Sequence, residues 1–110
     1  MKTVGQPLRL GMWTVKQPNI PEFIEMWKKS VDWVSQNLPG EGEAVLLQET
    51  ENPNKFISFA FSTNLEKAQE VMSRTEYQEL FSRVRALCDD VQPHGMKVVG
   101  YSFSASARNE

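Results

Sequence analysis

Lys55-Phe56-Ile57-Ser58-Phe59-Ala60-Phe61-Ser62 is the stretch that decides the fold. Its length and its aromatic and β-branched content read as a strand. A strand with one face in water alternates apolar and polar side chains. This one does not, because both parities are apolar or small. The preceding Ala44-Val45-Leu46-Leu47 has the same character and reads as a strand from Gly42 to about Thr50. Asn52-Pro53-Asn54 between the two is turn chemistry, so the two strands are expected to pair as an antiparallel hairpin.

On the N-terminal side of that hairpin, Leu8 to Val15 reads as a first strand, ended by Gln17-Pro18-Asn19. Pro21 suits a first helical turn. Phe23, Trp27, Val31, Val34 and Leu38 then recur at spacings of three and four, the stripe of an amphipathic helix that Pro39-Gly40 stops. Trp33 lies off that stripe, which predicts an edge or a partner contact. On the C-terminal side, Thr63-Asn64-Leu65-Glu66 and Thr75-Glu76-Tyr77-Gln78 both match a capping box, predicting helical segments that break near Arg74. Tyr77, Leu80, Phe81, Val84, Leu87, Cys88 and Val91 extend the second to Pro93, and Met96 to Phe103 reads as a last strand. Residues 104–110 read as a loose tail.

The order is βαββαβ, an α+β domain spanning residues 1–110. Right-handed crossovers give a four-stranded antiparallel sheet with the helices on one face. Nothing in the chain then covers the other face, and soluble monomers rarely leave so large an apolar patch bare. A second copy closing a barrel across a twofold axis is the simplest cover, so a homodimer is expected. The ligand pocket is then expected between sheet and helices within each protomer.

Composition narrows the function. Twelve basic residues against fourteen acidic ones give a net charge of -2, which speaks against nucleic-acid binding. The basic pair Lys28-Lys29 shares a helix with Glu22, Glu25 and Asp32 and reads as a solvated face. The single cysteine, Cys88, rules out an intrachain disulfide or a cysteine-based metal site, and its place on an apolar stripe suits a small buried hydrophobe. One histidine and no carboxylates at ligand spacing make a metal site unexpected. No run reaches the ~20 apolar residues of a membrane span. The cytoplasm is the expected location. Six Phe, three Trp and five Met exceed what a chain of 110 residues packs comfortably, which predicts a cavity or an interface.

Phe23-Ile24-Glu25-Met26-Trp27, the hairpin from Glu51 to Phe59, and Tyr77-Gln78-Glu79-Leu80-Phe81 resemble the antibiotic biosynthesis monooxygenase domain family. The resemblance covers about residues 8 to 103 and implies a dimeric α/β barrel of ferredoxin-like protomers. It also implies a reaction among those of the family, which include cofactor-independent oxygenation of phenols and haem degradation. The haem-degrading branch uses an Asn on the first strand, a Trp late in the third and a His in the second helical region. This chain has no Asn from Leu8 to Thr14, Phe61 in place of the Trp, and its only histidine, His94, after the last helix.

The expected activity is therefore a cofactor-independent monooxygenation of a small phenol or hydroquinone, with no cofactor. The alternative is a non-catalytic dimeric barrel that binds a small ligand or serves in stress. In the first reading His94, Tyr101 and Arg9 are the candidate catalytic groups, as proton acceptor and oxyanion donors. Trp13, Phe59, Phe61 and Trp27 are the candidate substrate walls. Each has a plainer reading: an exposed loop histidine, a structural hydrogen bond or ion pair, ordinary aromatic core.

Overall fold

The computed structural model describes residues 4–38 and 42–102. The expected helix stop at Pro39-Gly40, the strand end at Phe103 and the tail at 104–110 lie outside the described residues. Strand β1 runs Pro7–Val15, followed by a 3₁₀ turn at Gln17–Asn19 and helix α1, Ile20–Asn37. Strands β2, Gly42–Gln48, and β3, Lys55–Ser62, form the hairpin. Helices α2, Leu65–Met72, and α3, Thr75–Ala86, lead to β4, Cys88–Lys97. The sheet is antiparallel in the order β2-β3-β1-β4, the ferredoxin-like arrangement that the βαββαβ order demands.

The hairpin and β1 fall where periodicity places them. The last third does not. The helix expected to reach Val91 ends at Ala86, and the last strand begins at Cys88 rather than Met96. Leu87, Cys88 and Val91 suit either a helix stripe or a strand, so local pattern leaves the choice open. Pairing decides it. All nine residues of β1 have partners on β4, with Trp13 opposite Val91 and Gly11 opposite Pro93. A strand from Met96 would leave most of that edge of β1 with unpaired backbone groups. Pro93 is tolerated because β4 is an edge strand.

Both capping boxes are also displaced. Asn64, not Thr63, caps α2, its Oδ1 accepting from the Lys67 amide at 3.0 Å. Thr75 is the first residue inside α3, and Arg74, extended at ψ 149°, precedes it with no side-chain cap. The break between the helices nevertheless falls at Arg74, as expected.

Residues opposite one another on neighbouring strands share a face. Trp13, Phe56 and Val91 therefore face the helices, and with Val15, Phe23, Met26 and Val84 they make the core. The Phe23 ring is fully buried between those of Trp13 and Phe56, at centroid distances of 5.3 and 5.0 Å. The α1 stripe splits in two. Phe23 is buried with Met26, whereas Trp27, Val31, Val34 and Leu38 stay half-buried because they border a cavity. The Trp33 ring lies 6.3 Å from that of Tyr77 on α3.

The opposite face carries Leu8, Leu10 and Met12 from β1, Ile57, Phe59 and Phe61 from β3, Val45 and Leu47 from β2, and Met96 from β4. Met12, Val45, Leu47, Ile57 and Met96 are all exposed. No described helix crosses to this side. Among the described residues no helix is long and apolar enough to cross a membrane.

Candidate functional site

Between the sheet and α1, α2 and α3 lies a cavity of about 170 Å³, partly open to solvent. Its floor is the helix-facing surface of β1 and β3: Arg9, Gly11, Trp13, Ser58 and Ala60. Trp27, Val31 and Val34 of α1 form one wall, and Tyr77 and Phe81 of α3 the other. Apolar cavities near 150 Å³ accept a benzene-sized ring, so this space suits a flat aromatic molecule.

Gly11 explains how the floor is built. The Trp13 indole lies back across it and donates its N–H to Ser58 Oγ at 3.0 Å. A Cβ at position 11 would sit 2.7 Å from Trp13 Nε1 and 2.8 Å from Ser58 Oγ. The indole is held against Phe23 and by edge contact with Phe81 at 6.0 Å, so it has little room to yield. Gly11→Ala is expected to cost about 1–3 kcal/mol, the usual scale of overpacking. Urea unfolding followed by tryptophan fluorescence checks it; an unchanged midpoint would contradict the close approach.

Arg9 and Tyr77 are the polar groups where β1 meets α3, and the cavity lining also takes in one carboxylate, Glu43 of β2. Arg9 Nη1 donates to Met72 Sδ at 2.8 Å, which steers the guanidinium toward α2. Burial raises the Tyr77 hydroxyl above its ordinary pKa, and the Arg9 charge only partly opposes this. Tyr77 is thus a neutral donor at neutral pH, not a base. Its ring stacks on Phe81 at 5.8 Å, which fixes the hydroxyl's direction.

Of the residues singled out in the sequence, the cavity gathers Arg9, Trp13 and Trp27. Phe59 and Phe61 border it as well, but they lie opposite Leu10 and Leu8, so strand alternation turns their rings to the open face and leaves main chain at the cavity. His94 lies within β4, not in a loop after a helix; it is exposed, opposite Leu10, and away from the cavity. Tyr101 lies beyond β4, 53% exposed, and does not line the cavity. Cys88 opens β4 rather than closing a helix, and burial, aided by Asp89, pushes its thiol up to about 11, which suits an inert group. Nothing in the sequence marks Tyr77 or Ser58 as site residues. Tyr77 sits in a helical stripe that reads as core, and only its hydroxyl set it apart from Leu80 and Val84.

The fold is shared with solved structures described as a cofactor-independent oxygenase and as antibiotic biosynthesis monooxygenases. A variant of SnoaB, a cofactor-independent oxygenase from Streptomyces nogalater, superposes with a TM-score of 0.79 at 15% identity, over 88% of this chain and 96% of that one. A conserved protein from Methanosarcina mazei Go1 gives 0.71 at 16%, over 84% and 93%. A structure described as an antibiotic biosynthesis monooxygenase gives 0.70 at 14%, over 86% and 99%. No protein-family model matches the sequence, and no curated protein matches it.

Proposed function

We propose that this chain is a homodimeric, cofactor-independent monooxygenase acting on a small electron-rich hydroxyaromatic compound. The observation that supports it most is an aromatic-walled cavity with a cation, Arg9, and a neutral hydroxyl, Tyr77, at one end. The ring lies between Trp13 and Trp27. Arg9 stabilises the phenolate oxygen, favouring loss of its proton to solvent through the open side, and Tyr77 donates a hydrogen bond to the same oxygen. The electron-rich phenolate then reduces dioxygen directly. One oxygen atom bonds to a ring carbon and becomes a second carbonyl; the other leaves as water with the ring hydrogen and the hydroxyl proton. A naphthol and dioxygen give a naphthoquinone and water, so no external reductant is consumed. Arg9 and Tyr77 take the polar roles in place of His94 and Tyr101.

An oxygen electrode with a panel of naphthols and dihydroxynaphthalenes tests this reading. Uptake should match quinone formation one for one. No uptake above buffer with any member sinks the oxygenase. Saturable quenching of tryptophan fluorescence without uptake would instead favour the ligand-binding module, a reading supported by the lack of a neutral-pH base at the Tyr77 position.

The homodimer rests on the bare apolar face. Ile57 sits at its centre, opposite Met12 and Leu47, and is 37% exposed. Ile57→Asp should leave the protomer folded but weaken dimerisation at least about 100-fold, because an unpaired charge would be buried at the contact. Light scattering should give twice the 12.6 kDa chain mass for the wild type and the single mass for the variant. A wild-type monomer at micromolar concentration contradicts the dimer.

A further inference from the structure

Past Tyr77 the cavity adjoins an open hollow, with which it shares Arg9, Met72, Tyr77 and Phe81. Gln78, Ser82 and Arg85 complete the rim of the hollow. Two cations thus face one depression, and no Asp or Glu lines it among the described residues. Neither arginine has a carboxylate partner among those residues. Arg9 rests on Met72 Sδ, and the Arg85 guanidinium lies 5.0 Å from the centroid of the Phe81 ring. The chain as a whole is acidic at -2, so this pair is a local exception.

We infer that the ligand is a hydroxyaromatic acid, whose ring fills the cavity and whose carboxylate leaves it past Tyr77 to meet Arg85 and Arg9. This deepens the reading above, since it rests on the same cavity. Like charges around one hollow repel, and an anion placed between them relieves that repulsion. Arginine presents a planar fork suited to a carboxylate. Stacking on Phe81 holds the Arg85 fork in place at little entropic cost. Arg9 borders both spaces, so one guanidinium faces both the ring hydroxyl and the acid. That sharing favours a ligand with the two groups on adjacent ring carbons.

The test is equilibrium binding of 1-hydroxy-2-naphthoic acid and of its methyl ester, followed by quenching of Trp13 and Trp27. The ester keeps the ring and the hydroxyl but lacks the charge. The acid should bind about tenfold more tightly, the scale of a charge-assisted contact at a solvent-accessible rim. The preference should shrink as salt is added. Arg85→Gln should abolish most of it while leaving the affinity for the ester within about twofold, as expected for a rim charge. Arg85→Lys, which keeps the charge and loses the fork, should retain part. Equal affinity of acid and ester for the wild type overturns the inference, and so does an Arg85→Gln variant that weakens both ligands alike. Because no turnover is read, the two readings fail separately. An acid preference without oxygen uptake sinks only the oxygenase, and uptake with uncharged naphthols without an acid preference sinks only this inference.

Discussion

Arg9→Gln should lower the maximal rate of oxygen uptake about 100-fold, near the lower end of the range measured when one oxyanion donor is removed. The lower end applies because Arg9 is exposed and water screens part of its charge. Glutamine is shorter but stays polar, and it lacks the cation that favours the phenolate. The loss should therefore fall on kcat more than on KM, since the charge on the substrate oxygen is greatest as the proton departs. Raising the pH should recover part of the rate, because solvent hydroxide then does what the guanidinium did. The fold should be unaffected, as Arg9 is exposed and its side chain bonds, among the described residues, to Met72 Sδ. A variant with unchanged kcat would remove Arg9 from the chemistry.

Phe23→Ala should destabilise the protomer by about 3–5 kcal/mol, the range for a large aromatic removed from a core. Phe23 has no exposed surface and packs at one end of the floor, touching the cross-strand neighbours Trp13 of β1 and Phe56 of β3. Domains of this size have only about 5–15 kcal/mol in total, so the melting temperature should fall by more than about 10 °C. The effect should spread to the site. With its neighbour gone, the Trp13 indole can tilt into the void, lengthening its bond to Ser58 and enlarging the cavity. Calorimetry together with near-ultraviolet circular dichroism reads both effects. A loss below about 1 kcal/mol would mean that the core collapses onto the gap more completely than rings on three separate elements allow.

Much of the fold was legible because its deciding signals are local. Asn52-Pro53-Asn54 defines a turn whatever surrounds it, and β3 spans Lys55–Ser62 as read from pattern. The bare face was legible for the same reason: Ile57, Phe59 and Phe61 alternate with Phe56, Ser58 and Ala60, so neither parity is polar. What failed was non-local. Nothing within Cys88-Asp89-Asp90-Val91 distinguishes a helix from a strand until β1 offers partners 73 to 78 residues earlier in the chain, Val15 opposite Cys88 and Trp13 opposite Val91, a separation beyond any local window. The site was half legible. Arg9, Gly11 and Trp13 share a parity on one strand, so finding Arg9 beside the cavity floor follows from alternation. Tyr77 joins them only through the packing of α3, which no spacing within its own helix reveals. His94 is marked in the sequence by its chemistry alone; its place in β4, opposite Leu10 and outside the cavity lining, depends on the strand register.

Pro93 has a consequence for how copies of the chain can meet. Its nitrogen carries no hydrogen, so it faces away from β1, and the outer margin of β4 lacks a donor midway along its length. Asp89 and Asp90 add negative charge at the near end of the same margin. A filament grows only when strands can be added at both margins of a sheet, and here one is blocked. Side-by-side association through β2 would therefore stop after a single doubling. The proline thus keeps strand-by-strand growth off the β4 margin, whatever meets the apolar face.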